Sequence, residues 1–178
     1  VIQVWDRLVR LLHWALVASI ATAWLSTLDL GIGWAHERSG YVAAAAVSIR
    51  LMWGWAGRRY ARFAQFVHRP SVVMDYSRQL WRHVEPRHIG HNPLGGWMVV
   101  ALLTCVGGTA FTGWLQTTDR YWGSEPLEII HTWMAWGLLG LIALHLVGVV
   151  FTSLRHRENL ALAMITGRKA APHGDDVA

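Results

Sequence analysis

The sequence predicts an all-α membrane protein built as a four-transmembrane-helix bundle. Three observations predict it. Of the 178 residues, 53% are hydrophobic and 15% charged, and the mean hydropathy is +0.28, whereas a soluble domain carries about 25% charged residues. The apolar residues gather into four blocks long enough to cross a bilayer. Lys and Arg are segregated between those blocks as membrane topology requires. Twelve Trp fit the same picture, because the half-wet indole ring favours the membrane–water interface.

The first span is expected over 8–28, with no charged side chain from Leu11 to Leu28. A short connection, 29–35, makes the second span, 36–56, its antiparallel neighbour, with one internal charge at Arg50. A polar connection, 57–92, precedes a third span over 93–117. A turn containing Asp119, Gly123 and Pro126 leads into the fourth, 127–154. Of the 16 Lys and Arg, all but Arg38, Arg50 and Arg120 fall before the first span, in the long connection or after the last span. The positive-inside rule therefore puts both termini and the long connection in the cytoplasm. The formal charge of +5 reflects this topology, and no nucleic-acid partner is implied. Within the long connection Pro70 opens an expected amphipathic helix, its apolar flank made of Val72, Val73, Tyr76, Leu80 and Trp81, with Arg78 and Arg82 near the wet edge. Such a helix would lie on the inner leaflet. One domain spans 1–169, and 170–178 reads as a short disordered tail. The single cysteine, Cys105, permits no internal disulfide. No cleavable signal is evident, since the first block holds a histidine and reaches membrane-spanning length.

Six of the ten histidines fall in the cytoplasmic segments, and four lie in or at the edge of spans. Of these four, His131 and His145 share the last span. Fourteen residues of helix rise about 21 Å and make almost four whole turns, so the two rings share a face at two depths. With the orientation above, His36 and His131 form an outer pair, and His13 and His145 an inner pair. Two histidine pairs at two levels are what two stacked bis-histidine haem b groups in a four-helix bundle require. A lone membrane histidine is more often a hydrogen-bonding helix contact. Four that match by depth on three helices are harder to explain as packing, because polar groups are costly there.

Arg50 follows His36 by fourteen residues, on nearly the same face and at the level of the inner haem. A guanidinium there needs an anion or water, and a haem propionate is the sharper candidate beside simple snorkelling. Arg7 and Arg10 lie near the same level. Gly40, Ala43, Ala44 and Val47 leave room along the same face for a flat macrocycle. Gly107, Gly108 and Gly113 on the third span serve either a haem edge or close helix packing. No phosphate-cradling loop, Cys/His zinc cluster or nucleophile–base motif is present, and Gly95-Gly96 lacks the pattern of a nucleotide site.

The chain resembles the bacterial cytochrome b561 family and the related b-type subunits of nickel–iron hydrogenases and formate dehydrogenases. The residues that carry the resemblance are Val4-Trp5-Asp6-Arg7 with Leu12-His13-Trp14, and His36-Glu37-Arg38 with Gly40-Tyr41. Arg50 with Trp53-Gly54, the run from Gly90 to Trp97, His131, His145, Glu158-Asn159-Leu160 and the run from Ala163 to Gly167 complete it. The resemblance implies a di-haem b protein of the bacterial inner membrane, with His13, His36, His131 and His145 as metal ligands. It also implies electron exchange with quinone on one side and a redox partner on the other. The matching quinone region would include His91, Asn92 and His156. The fifth span of some hydrogenase subunits has no counterpart among the four expected here.

Three functions compete at this point. The first is transmembrane electron transfer between the quinone pool and a periplasmic cytochrome or other redox protein, which makes the chain an electron carrier or a quinone-linked oxidoreductase subunit. Asp29, Glu37, Asp119, Glu125 and Glu128 on the outer side, against two arginines, would steer a basic partner. The second is a haem-bearing membrane anchor in a homo- or hetero-oligomer, whose partner does the chemistry. The third, a histidine-based transporter, would call for midplane acids and broken helices, and neither is found.

Overall fold

Four long helices follow from the four apolar blocks. The structure, a computed structural model, describes residues 1–28, 31–174, 176 and 177. Asp29, expected on the outer acidic face, lies outside the described residues. The long helices are α1 (Arg7–Leu25), α2 (Trp34–Ala56), α5 (Pro93–Gln116) and α6 (Glu125–Arg155). Between them come α3 (Phe63–Phe66) and α4 (Pro70–Trp81), and after them α7 (Leu160–Thr166). Two short strands, β1 (Ile2–Gln3) and β2 (Arg168–Lys169), join the chain ends.

By length and composition α1, α5 and α6 can each cross a membrane. In α6 only 6% of the most apolar window is buried within the protein, so its exposed apolar residues suit a lipid environment. α2 is long enough at 23 residues, but Glu37, Arg38 and Arg50 dilute its apolar character. The first helix stops at Leu25, three residues short of the expected span. There the Ser26 and Thr27 hydroxyls donate to the Ala23 and Trp24 carbonyls at 2.6 and 2.7 Å, drawing the chain into a turn.

The chain divides into two compact units. The first comprises Val1–Arg10, Met52–Val100 and Ala143–Ala178. Its centre is Val4, Trp5, Val9, Ala61, Ile89 and Ala163. β1 and β2 pair antiparallel, with Ile2 opposite Lys169 and Gln3 opposite Arg168. α7 is capped at its start by the Asn159 side chain, which accepts from the Leu162 amide at 2.8 Å. It ends at Gly167, held at φ 80°, whose carbonyl accepts from the amides of Val4 and Trp5 at 2.9 and 3.1 Å. Asp6 starts α1 by accepting from the Val9 amide at 2.9 Å, and its other oxygen accepts from Trp53 Nε1 at 3.0 Å. Pro70 does open a helix, α4, in the place the sequence suggests. Tyr76 turns inward and is buried, while Val72 and Trp81 are exposed. Gly96 earns its place by close approach, since a Cβ there would fall on the Phe66 carbonyl. Beyond Lys169, the amide of Val177 donates to the Arg87 carbonyl and the amide of Ile89 to the Val177 carbonyl, each at 2.9 Å.

The second unit comprises Leu11–Leu51 and Ala101–Ile142. Trp24 of α1 meets Trp136 of α6 with ring centroids 5.1 Å apart. The Cys105 thiol of α5 donates to the Met134 carbonyl of α6 at 3.5 Å. A Cβ on Gly108 would fall on the Met134 side chain of α6, and one on Gly107 would lie in ordinary contact 3.7 Å from Val47 of α2. Small residues thus bring α5 close to its neighbours, the ordinary device of helices without a water-driven core.

Candidate cofactor site

In the second unit α2 and α6 present His36 and His131 to one another, with ring centroids 6.1 Å apart and planes inclined at 67°. Each ring is oriented by a hydrogen bond at Nδ1. For His36 the partner at 3.0 Å is the Ala23 carbonyl, an acceptor only, so Nδ1 carries the proton and donates it. Ser26 Oγ lies 3.1 Å from the same nitrogen; its own hydrogen goes to Ala23, leaving its oxygen to accept. His131 Nδ1 lies 3.1 Å from Thr112 Oγ1, whose hydrogen is directed at the Gly108 and Thr109 carbonyls, each at 3.0 Å. Thr112 therefore also accepts from the imidazole. Both rings keep the Nε2 lone pair for something else, the tautomer that metal-binding histidines adopt through such partners.

The spacing suits one metal between two imidazoles. With metal–nitrogen bonds of about 2.0–2.1 Å and ring centres about 1.1 Å behind the nitrogens, facing rings have centroids about 6.2 Å apart. Gly113 lets His131 lie against α5, since a Cβ there would be 3.0 Å from its Cε1. At Gly40 a Cβ would meet nothing within 4 Å, so the His36 face of α2 has open space beside it. These residues fit a haem, which His36 and His131 would hold.

The other residues singled out from the sequence fall as follows. His13 is half-buried on α1 and Arg50 is buried on α2, both in the second unit. His145 is half-buried on α6 in the first unit. Arg7, Arg10 and His156 come together in the first unit, lining a cleft of about 1220 Å³. His91 is packed between Trp5 and Phe66, at centroid distances of 4.6 and 4.7 Å. Asn92 starts α5 by accepting from the Gly95 amide at 2.7 Å. Burial lowers the affinity of His156 for a proton.

Sequence reasoning missed Ser26 and Thr112. Both had a signal, because hydroxyls in an apolar span commonly bond to a neighbouring helix. It also missed an ion network in the first unit. Arg87 donates to Glu158 at 2.7 Å and to Asp176 at 2.6 Å, and Lys169 to Glu158 at 2.9 Å. Burial works against the charge on Glu158, yet Arg87 and Lys169 hold its carboxyl below the usual range. Burial lowers Lys169 despite Glu158. Nearby, burial and then Glu85 push the Tyr76 phenol up to about 12, and burial pushes His88 down to about 4.

Long apolar helices with two oriented imidazoles brought together between them define a class, the helical membrane proteins. The comparisons narrow it. A family profile described as prokaryotic cytochrome b561 matches residues 4–167, and the chain belongs to that family. It is similar to probable Ni/Fe-hydrogenase B-type cytochrome subunits of Azotobacter vinelandii, at 26% identity, and Azotobacter chroococcum mcd 1, at 25%. In both cases the similarity covers 93% of this chain and 87% of the relative. No solved structure matches. The chain is a membrane haem b protein of electron transport.

Proposed function

We propose that this chain is a four-span, di-haem b electron carrier of the bacterial inner membrane, with both termini cytoplasmic, linking quinone or quinol to a redox protein on the periplasmic side. The observation that carries the reading is the facing pair His36 and His131, 6.1 Å apart, with both Nδ1 atoms committed and both Nε2 atoms left to bind. α2 supplies the fourth span, its 23 residues reaching about 34 Å at 1.5 Å each. His13 and His145 hold the inner haem on the strength of their matched depth. Arg50, buried on the His36 face of α2, answers its propionates, with Arg7 and Arg10 at the same level.

Haem, when bound, supplies a one-electron ferric–ferrous couple. The protein's own residues do the rest. Ser26, the Ala23 carbonyl and Thr112 fix the two outer imidazoles in one tautomer and orientation, and the apolar helices keep water away. His36 and His131 would together hold the haem, and two protein ligands would suit electron transfer rather than oxygen activation. The quinone end is assigned to the first unit, which holds His91, Asn92 and His156. A second reading, a haem-bearing anchor subunit of a larger complex, is supported by the similarity to hydrogenase cytochrome subunits. Co-purification of a stoichiometric partner, with quinol turnover lost when it is removed, favours that reading.

The test is haem quantification with a reduced-minus-oxidised spectrum of purified wild type, H131A and H145A. The expected result is two haems per wild-type chain and one in each variant, with different b bands surviving. One haem in the wild type, or loss of both in variants whose helix content is intact, overturns it.

A further inference from the structure

The cleft of the first unit carries more positive charge than the fold consumes. Arg7, Arg10, Arg58, Arg87, Arg157 and Arg168 all line it. Arg87 is engaged by Glu158 and Asp176, and Arg10 Nη1 donates to the Ile165 carbonyl. Among the described residues, Arg7, Arg58, Arg157 and Arg168 form no ion pair. The two carboxylates of the wall are already committed. Asp6 accepts from Val9 and Trp53, and Glu158 from Arg87 and Lys169. With Arg7 given to the haem propionates above, three guanidiniums are left around one concavity, and Arg157 is held there at φ 49°, a conformation disfavoured for a residue with a side chain.

The same cleft has an apolar side. Leu8, Trp53, Leu162 and Ala163 line it, and on α7 both Leu162 and Ile165 are exposed. Its wall takes in the first turn of α1, at Arg7, and the residues just after α6 ends at Arg155. Two apolar spans therefore leave the hydrocarbon beside it. A soluble phosphate compound would need the guanidiniums but not the apolar wall; a lipid needs both. The volume of about 1220 Å³ exceeds the usual small-molecule range of about 300–1,000 Å³, enough for a headgroup and the start of its chains.

We propose that this cleft binds the headgroup of an anionic phospholipid. Arg58, Arg157 and Arg168 take the phosphate through paired N–H donors, and the acyl chains leave past Leu8 and the exposed face of α7. Assignment to the inner leaflet rests on the orientation proposed above; the binding itself does not.

The experiment is native mass spectrometry of the haem-loaded full chain in detergent, titrated with cardiolipin, phosphatidylglycerol or phosphatidylcholine, and separately with inorganic phosphate. The wild type is expected to prefer the two anionic lipids by about tenfold or more, and R157Q/R168Q to lose the preference while keeping its b bands and reduction by quinol. Equal binding of phosphatidylcholine, unchanged preference in the variant, or displacement of bound lipid by millimolar inorganic phosphate overturns the proposal. Should the double variant lose its b bands, R58Q and the wild-type titrations decide. Lipid is read by mass and haem by absorption, so failure of this site and failure of the di-haem reading are separate outcomes.

Discussion

Two hydroxyls and one carbonyl determine what His36 and His131 can do. A hydrogen bond to Nδ1–H pushes electron density toward Nε2 and makes the imidazole a better donor to an oxidised metal. Removing it should destabilise the ferric state and raise the midpoint potential. The two sites differ in a useful way. In Ser26→Ala the Ala23 carbonyl still accepts from His36, so little should change. In Thr112→Val the hydroxyl at 3.1 Å is lost from His131. A net hydrogen bond of about 1 kcal/mol corresponds to about 40 mV for one electron, so T112V should raise one haem's potential by about that much and S26A by clearly less. Redox titration followed in the b band checks this. Equal shifts, or none, would mean that the hydroxyls serve only helix packing.

At the scale of elements, α7 and the β1–β2 ribbon tie the two ends of the described chain together. Gly167 is where they meet. Its φ of 80° suits glycine, and a Cβ would strike the Gln3 amide nitrogen and the Trp5 carbonyl. Gly167→Ala should therefore cost about 2 kcal/mol, combining left-handed backbone strain with displacement of β1. Asn159→Ala, which loses only the cap, should cost about 1 kcal/mol. Thermal unfolding in detergent, followed by Trp fluorescence, ranks the two, and the reverse order would refute the close packing at Gly167. α4 shows the limit of pattern reading. Its start at Pro70 follows from the fixed proline φ and the missing N–H, but which face turns inward depended on a partner, and Tyr76 meets the His88 ring at 5.4 Å.

For the whole molecule, the first unit is fastened by charges far apart in sequence, and acid should loosen it. His88, lowered by burial from 6.5 to about 4, stays neutral when folded while the unfolded chain takes up a proton. Stability therefore falls as pH drops from about 6.5 to about 4. Glu85 is held below its ordinary value by Arg155, Glu158 by Arg87 and Lys169 against its burial, and Asp176 by the His173 amide and then Arg87. Their contribution is present above the unfolded carboxylate values and is lost below them, so the decline continues below about pH 4.5. The melting temperature should drop through both windows. Arg87→Ala should lower stability at pH 7 by about 2 kcal/mol, less than for a fully buried pair, and should flatten the lower window. A melting temperature independent of pH between about 3 and 7 would contradict both.

The sequence by itself determined the helical class and the positions of the long helices to within a few residues. These are local or periodic properties: apolar run length, a pitch of about 3.6 residues and the sidedness of arginines. Three of the four expected spans meet the demands of length and apolarity; α2, with 23 residues, is long enough but less apolar, because Glu37, Arg38 and Arg50 dilute it. The tertiary structure alone decided which hydroxyl meets which imidazole. It also decided that Arg87 joins Glu158 and Asp176, and that seven basic side chains, six Arg and Lys169, encircle one cleft. Such contacts join residues as much as 155 positions apart. Hydrogen bonds and ion pairs act only over a few ångströms, so their partners exist only once the chain has folded.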